Sequence, residues 1–294
     1  MLVNKKGMTI TVVFEAESLN YGEGIGNNVA SLKKITRNNG ESFSYIARQT
    51  LAYDLRRIMG VNNTPLSLCE TVIQFAPEAT IHDNPEIDLF GYMKTVKPTK
   101  TRSAVVRVSN AISLEAFNAD LDFLTNKGLL DRYNLLSSDT KDGGNISQSE
   151  IHKAFYTYTI VVDLDKVGID MNDMIEISNN EKADRIINLL NAIKFLHRDI
   201  KGRRENLSPV FAIGGVYDIK SPFFENRVKL SSKSIDVNPI KDTLNLDARI
   251  ADNTKVAVVK GIFENDNELE SELHAVNMNE FFNFLEAKIK EYYL

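Results

Sequence analysis

Cysteine is almost absent from this chain of 294 residues, since Cys69 is the only one. A disulfide within the chain is therefore impossible, and a zinc site built from several thiolates is excluded. Long apolar runs are also missing: no segment approaches the ~20 apolar residues that span a membrane, and residues 1–8 lack the apolar region of a secretory signal. We expect a protein of the reducing cytoplasm with no membrane partner.

Proline and glycine are scarce as well, with seven and fifteen residues respectively, and no low-complexity tract or linker interrupts the chain. Hydrophobic residues make up 43% of the sequence, which is enough for a sizeable core in a chain of this length. We therefore predict one elaborated domain over residues 1–294, folded throughout.

Motifs that carry catalysis or bind cofactors and metals are lacking too. There is no Walker-type Gly-Lys-Ser/Thr, and the glycines of residues 21–26 alternate at every second position instead of forming the dinucleotide fingerprint. Residues 163–168 begin like a calcium loop, but Met174 occupies the place of its bidentate glutamate. The histidines stand far apart, without metal-ligand spacing, at His82, His152, His197 and His274. We predict no catalytic residue, no cofactor and no metal.

Charge is unevenly distributed along the chain. A formal net charge of −5 argues against a protein that coats nucleic acid with its whole surface. Residues 1–109 nevertheless carry 13 Lys and Arg against 10 Asp and Glu, whereas the remainder carries 22 against 30. This asymmetry indicates a local basic track on an otherwise acidic protein.

Basic residues form three clusters. The segment 94–107 contains no acid, and Pro98 with its neighbouring threonines keeps part of it extended, which suits a segment that follows a phosphate backbone. Its basic residues are Lys94, Lys97, Lys100, Arg102 and Arg107. The other clusters comprise Lys33, Lys34, Arg37, Arg48, Arg56 and Arg57, and then Lys194, Arg198, Lys201, Arg203 and Arg204. Each cluster alone is equally consistent with a solvated surface, but three of them on an acidic chain favour nucleic-acid binding.

The hydrophobic pattern predicts an α+β fold. We expect strands at residues 8–16, 103–110, 152–164, 209–217 and 256–263, and helices at 41–59, 181–198 and 278–293. Residues 62–85 are predicted to be an irregular insertion, and residues 115–151 a projecting one with a turn at 141–145. The order strand, helix, strands, helix, strand is the ferredoxin-like arrangement of RNA-recognition domains, which many enzymes also use.

Five segments, in their order along the chain, resemble one family. They are residues 14–27 (FEAESLNYGEGIGN), 44–51 (SYIARQTL, followed by Arg56), 88–94 (DLFGYMK), 106–114 (VRVSNAISL) and 202–211 (GRRENLSPVF). No segment is specific alone. Their order and spacing over almost the whole chain resemble the seventh CRISPR-associated protein family, and within it the DevR-type backbone subunit of type I-B Cascade.

The resemblance implies a right-hand shape: a palm of RNA-recognition-motif fold, residues 60–87 as part of the fingers, and residues 115–151 as the thumb. It also implies a non-catalytic subunit that binds the CRISPR guide RNA (crRNA), other Cascade subunits, and copies of itself in a head-to-tail filament. Target DNA would be reached through the guide, because a protein that grips phosphates leaves the base edges free to pair.

Matching motifs then imply roles for individual residues. Arg48, Gln49 and Arg56 would face guide phosphates and sugars. Lys94 would contact the adjoining RNA backbone, and Met93 would be an apolar wedge beside a displaced base. Core packing explains Met93 equally well, because methionine often fills gaps in a core.

Further basic and polar residues complete the predicted RNA-binding set. They are Asn20, Lys33, Lys34, Arg37, Lys97, Lys100, Arg102, Arg203 and Arg204. At the loop asparagine the sequence departs from the family pattern, because Asn20 is followed by Tyr21 where a basic residue is common.

Two other hypotheses stay open. An RNA-processing endoribonuclease of the same fold would need a base close to the RNA, and His197 beside Arg203 and Arg204 is the candidate. The other is a regulator or enzyme whose fold merely coincides.

Overall fold

The computed structural model describes residues 5–17, 20–22, 29–37, 39–95, 97–118, 120–143 and 146–294. Most of the glycine-rich segment 21–26, and residues 144–145 of the predicted turn, lie outside the described residues. Among the helices of these ranges, none combines the length and apolar character needed to cross a membrane.

Strands and helices are interspersed along the chain. The strands are β1 (Gly7–Ala16), β2 (Val29–Ala30), β3 (Lys34–Thr36), β4 (Ser42–Ile46), β5 (Leu66–Cys69), β6 (Val72–Phe75), β7 (Tyr92–Lys94), β8 (Lys100–Arg102), β9 (Val106–Val108), β10 (Ala111–Ser113), β11 (Asp120–Thr125), β12 (Ile146–Ile151), β13 (Ala154–Asp163), β14 (Ile169–Asp170), β15 (Ile175–Glu176), β16 (His197–Ile200), β17 (Arg203–Asn206), β18 (Phe211–Tyr217), β19 (Leu230–Ser231), β20 (Ser234–Ile235) and β21 (Thr254–Val258). The helices are α1 (Arg48–Met59), α2 (Pro85–Phe90), α3 (Lys127–Leu136), α4 (Asn179–Lys194), α5 (Asn238–Leu244), α6 (Ala248–Ala251), α7 (Asp266–Leu273) and α8 (Met278–Tyr293).

An eight-stranded sheet forms the centre of the fold, in the order β21-β18-β1-β13-β10-β4-β3, with β9 also paired to β13. β1 and β13 are antiparallel from Gly7 opposite Asp163 to Ala16 opposite Ala154, and β1 also pairs antiparallel with β18. Every residue of β1 except Glu15 is buried. A strand covered on both faces requires layers on each side, and the result is the predicted α+β class.

The sheet buries a separate core on each face. On one face, strand residues pack against helices α1, α4 and α8. These helices contribute Leu51, Leu189 and Phe281 to the core. On the other face, Val13 of β1 and Phe211 of β18 belong to a second core. Successive residues of a strand point to opposite faces, so β1 and β13 supply both cores.

The first predicted helix, residues 41–59, is wrong in its amino-terminal part. Ser42–Ile46 forms β4, and α1 begins at Arg48 after an extended Ala47. Apolar residues at positions 43, 46 and 47 fit a helical spacing. The segment instead gains backbone hydrogen bonds on both sides, from β3 and β10, and these tertiary contacts override the local pattern.

The second predicted helix, residues 181–198, is shifted. α4 begins after Ser178, whose Oγ accepts a hydrogen bond from the Glu181 N–H at 3.3 Å, and it ends at Lys194. His197–Ile200 forms β16 and pairs with β17. Arg198, Arg203 and Arg204 therefore lie on a hairpin and not at a helix end.

Both predicted insertions contain regular structure. Residues 115–151 carry β11, α3 and β12, and no residue of α3 is buried. Residues 62–85 are not irregular, because they contain the β5–β6 hairpin. A small core stabilises this region, with Ala76, Ala79, Ile81, Ile87 and Tyr92. The carboxy-terminal helix α8 has the predicted bounds, 278–293.

Candidate nucleic-acid interface

Helix α1 presents an electropositive amino terminus. Its first turn contains no acidic residue, and the residue before it is Ala47, which has no capping side chain. The cap comes from elsewhere, because Asn110 accepts a hydrogen bond from the Arg48 backbone N–H at 2.9 Å. The partial positive charge at a helix start favours anions. Arg48 and Gln49, both exposed, therefore stand where a phosphate is stabilised.

A groove of about 350 Å³ lies beside this helix terminus. It is lined by Arg48, Gln49, Ala52, Arg56, Phe90, Ala104, Val106, Arg107 and Val108. The structure thus brings the three residues predicted on α1 together with Arg107 of β9, which belongs to another basic cluster. The Arg48 guanidinium has no ion-pair partner in the described part of the chain.

Carboxylates orient two arginines of the groove. Arg56 Nε lies 3.3 Å from Glu86 Oε1, and its guanidinium lies 5.2 Å from the centre of the Phe90 ring. Arg107 donates to Asp163 Oδ2 at 3.0 Å. The two side chains remain 25% and 49% exposed, so these partners hold them in place without removing them from solvent.

Met93 is 60% exposed, which excludes the core-packing explanation. The backbone before it turns sharply at Gly91, where φ is +78° and a Cβ would lie 2.5 Å from the Arg102 carbonyl oxygen. Tyr92 then points inward and donates to Asp170 Oδ2 at 2.7 Å. Alternation along β7 turns Met93 outward. Its contact with a displaced base stays a prediction.

Lys94 is completely buried, which argues against its predicted contact with the RNA backbone. Its ammonium donates to the carbonyl oxygens of Pro77, at 3.3 Å, and Ala79. Burial lowers the pKa of Lys94. The reason is strand alternation, since Tyr92 and Lys94 share the inward face of β7. In this structure Lys94 ties β7 to the 60–87 insertion and does not face solvent.

Arg102, another residue predicted to bind RNA, is instead paired with a carboxylate of the protein itself. Its guanidinium donates to Asp88 Oδ1 at 2.6 Å, and Asp88 is fully buried. Lys100 is paired with Asp173 Oδ1 at 2.5 Å. Lys97 is exposed and has no partner among the described residues. Segment 94–107 contains no acidic residue, but the fold places Asp88 and Asp173 beside it.

The predicted residues near β3 have mixed surroundings. Lys34 donates to Glu150 Oε1 at 2.8 Å, whereas Lys33 and Arg37 have no carboxylate partner within the ranges that the structure describes. Arg37 lies over the Phe43 ring at 4.2 Å. It lines a second groove of about 660 Å³, apart from the one beside α1.

Asn20 lies against helix α1. Its Nδ2 donates to Thr50 Oγ1 at 3.2 Å, and its backbone oxygen accepts from the Lys33 N–H at 2.8 Å. The structure therefore places Asn20 and Lys33 near the first turn of α1, although the Asn20 side chain itself is buried and directed at Thr50.

The β16–β17 hairpin carries Arg203, Arg204 and His197. Arg203 donates to Glu17 Oε2 at 2.6 Å, and Arg204 donates to Asp199 Oδ1 at 2.8 Å. The register of the hairpin places neither arginine opposite His197. A role of His197 in cutting RNA, which the endoribonuclease hypothesis requires, stays a prediction.

A buried hydrogen-bond network surrounds His152. Ser44 Oγ lies 2.7 Å from both His152 Nδ1 and the Tyr156 hydroxyl. Burial lowers the pKa of this histidine, and its exposure is only 5%, so it is not accessible to a ligand. Across the described residues, no group of three or more His, Cys, Asp or Glu side chains is arranged to hold a metal.

The predicted RNA-binding set omitted other residues that shape the groove, among them Asn110, Glu86, Phe90 and Arg107. Phe90 and Asn110 lie within segments that carry the family resemblance, and Arg107 lies within a basic cluster. The cap that Asn110 provides joins positions 62 residues apart. No local pattern in the sequence indicates such a contact.

The fold as a whole is similar to that of chains in solved CRISPR complexes. A chain of a structure described as a CRISPR RNA-guided surveillance complex, pre-nicking, has a TM-score of 0.62 and 11% sequence identity, over 97% of this chain and 100% of that one. A chain of another CRISPR RNA-guided surveillance complex has a TM-score of 0.59 and 13% identity, over 97% and 99%. The protein thus has the fold of chains found in such complexes.

The sequence defines the family. The family described as CRISPR-associated negative auto-regulator DevR/Csa2 matches residues 8–238, which is most of the chain. The protein belongs to this family, and the predicted DevR-type resemblance is confirmed at that level. No curated relative matches the sequence.

Proposed function

We propose that the protein is a non-catalytic subunit of a type I-B, Cascade-type CRISPR surveillance complex and that it binds the guide RNA. The observation that carries the proposal is the groove where Arg48, Gln49 and Arg56 meet Arg107 at the positive end of α1. Family membership and fold similarity support a role in CRISPR defence.

The chemistry of the groove suits an RNA backbone. Guanidinium groups and a helix amino terminus bind phosphates of any sequence, so one protein can hold any guide and leave its bases free to pair with target DNA. The net charge of −5 confines such binding to local surfaces like this one.

The proposed subunit assembles with other Cascade subunits and, head to tail, with copies of itself along the guide. The 115–151 insertion supports this role as a thumb, because its helix α3 leaves Leu129, Leu135 and Leu136 at least 60% exposed and in need of a partner. Residues 60–87 are proposed as part of the fingers and the central sheet as the palm. Contacts between different surfaces of identical chains generate open filaments when the rotation between successive chains does not close into a ring.

RNA affinity measured across a salt series tests the groove. We expect Arg48→Glu to weaken binding and to reduce the slope of log affinity against log salt by at least about 0.7, the value for one single-strand phosphate contact. Lys290→Glu, on the exposed side of α8, makes the same charge change and is expected to have little effect.

Two outcomes would reject the proposal in different ways. No RNA binding even at low salt would favour a regulator that shares the fold. Cleavage of repeat-containing RNA by the purified protein would favour the endoribonuclease.

A further inference from the structure

Lys34 is held by both ends of the 115–151 insertion. Its ammonium donates to Glu150 Oε1 at 2.8 Å and to Glu150 Oε2 at 2.9 Å, and it lies 4.3 Å from the centre of the Phe117 ring. Phe117 stands near the start of the insertion and Glu150 near its end. The contact therefore joins a basic residue that was predicted to bind RNA to the root of the insertion.

Glu150 is itself fixed by the segment before β3. Its Oε2 accepts a hydrogen bond from the Leu32 N–H at 2.8 Å, and its backbone oxygen accepts one from the Tyr21 hydroxyl at 3.1 Å. The strand that carries Glu150, β12, pairs with β2 through Gln148 opposite Val29. The Glu150 side chain is only 15% exposed. Its carboxylate is therefore a preformed partner for a cation and not an ordinary solvated acid.

This carboxylate and an RNA phosphate are alternative partners for one ammonium. Anionic oxygens are the strongest acceptors for a charged donor, and Lys34 carries a single charge. While it stays paired with Glu150, it adds no phosphate contact to the salt-dependent affinity. Its side chain is 29% exposed, and ion pairs near the surface are weak. A phosphate can therefore displace the carboxylate, but the displacement lowers the affinity for RNA.

We infer that Glu150 is an internal competitor of RNA, which pairs with Lys34 and must be displaced when a phosphate binds there. The inference rests on the proposed guide-RNA binding and adds a restraint on it. Because Glu150 belongs to the insertion, RNA that takes Lys34 releases one tie at the insertion's root. A partner cation that takes Glu150 conversely frees Lys34 for RNA. Linked equilibria are reciprocal, so each event favours the other.

Glu150→Gln tests the competition. The amide removes the charge that holds Lys34 and keeps an oxygen for the Leu32 N–H. We expect this variant to bind single-stranded RNA about threefold more tightly, the fold-change that corresponds to a weak surface ion pair. The slope of log affinity against log salt should be steeper by up to about 0.7. Glu272→Gln breaks an exposed pair with Lys241 and is the control, with neither quantity changed.

A double-mutant cycle separates competition for Lys34 from a general repulsion of RNA by an acid. Glu150→Gln is introduced into the wild-type protein and into Lys34→Gln, and affinities are compared at about 0.15 M salt, where charges more than about 8 Å apart are largely screened. If Glu150 acts by holding Lys34, the gain in affinity disappears in the Lys34→Gln background.

The other outcomes are equally informative. An equal gain in both backgrounds would overturn the inference, because Glu150 would then act without Lys34. An unchanged or lower affinity of Glu150→Gln would also overturn it, since the pair would then not oppose RNA binding. Failure of the wild-type protein to bind RNA even at low salt would reject the proposed function itself.

Discussion

The side-chain oxygen of Asn110 lies 2.9 Å from the backbone nitrogen of Arg48 and caps helix α1 from a different part of the chain. The cap fixes the first turn of α1 next to β9. Arg48 and Gln49 come from the helix and Arg107 from the strand, so one hydrogen bond joins the two walls of the groove.

Asn110→Ala is expected to lower the free energy of unfolding by about 1 kcal/mol, the usual cost of losing a cap. RNA affinity should fall as well, because the first turn of α1 loses its fixed position. Asn110→Asp restores an acceptor and should recover stability. It should still bind RNA weakly, since it places a negative charge beside the phosphate. Urea unfolding and RNA titration measure both effects, and an unchanged stability of Asn110→Ala would contradict the assigned cap.

A second prediction follows from the burial of Lys94. Its ammonium is held by the carbonyls of Pro77 and Ala79, so Lys94→Met should leave the salt slope of RNA binding unchanged. Arg48→Met should reduce that slope by about 0.7. If Lys94→Met reduced the salt slope as much as Arg48→Met does, Lys94 would have to leave its carbonyl partners and contact the RNA.

Gly91 provides a third prediction, with a control in the same chain. Gly91→Ala places a Cβ 2.5 Å from the Arg102 carbonyl oxygen, whereas at Gly60, also with positive φ, nothing lies within 4 Å. Gly60→Ala therefore suffers only backbone strain, roughly 1–2 kcal/mol. We expect Gly91→Ala to lose about 2 kcal/mol more in unfolding free energy. Equal losses in chemical denaturation would show that the close approach of β7 to β8 is not required.

A fourth prediction concerns pH. Histidine in the unfolded chain takes a proton near pH 6.5, whereas burial lowers the pKa of His152 in the folded protein. Below pH 6.5 the unfolded state therefore binds more protons, and the free energy of unfolding should fall as the pH falls. This loss is complete once the pH passes the lowered pKa of the folded state.

His152→Asn should flatten the dependence of unfolding free energy on pH between about 7.5 and 5.5, the range in which histidine titrates. His274→Asn removes an exposed histidine and serves as the control. Identical slopes for wild type and His152→Asn, measured by urea unfolding, would show that His152 does not titrate on unfolding.

The sequence predicted those elements in which local pattern and tertiary contacts agree. Helix α8 has an unbroken apolar face and the expected bounds. Residues 42–46 satisfied a helical spacing, but pairing with β3 and β10 made them a strand. Local periodicity could not decide between these outcomes, because partners distant in sequence supply the hydrogen bonds of β4.

The candidate site, like the fold, could be predicted from the sequence only in part. Motifs placed Arg48, Gln49 and Arg56 on one helix, and the structure gathers them in one groove. The prediction that segment 94–107 binds RNA rested on its lack of acidic residues. In the fold, however, acidic residues from other segments pair with it: Asp88 with Arg102 and Asp173 with Lys100. The apolar part of the groove lining could not be foreseen, since it combines residues of α1, α2 and β9 with Ala104, which lies between β8 and β9.

The most direct test of the account is the mass of the complex formed with guide RNAs of increasing length, measured by native mass spectrometry together with the state of the RNA. The account predicts stepwise growth by one 33.1 kDa chain for each fixed increment of RNA, with the RNA intact. One fixed stoichiometry at every length, with cleaved RNA, would contradict it.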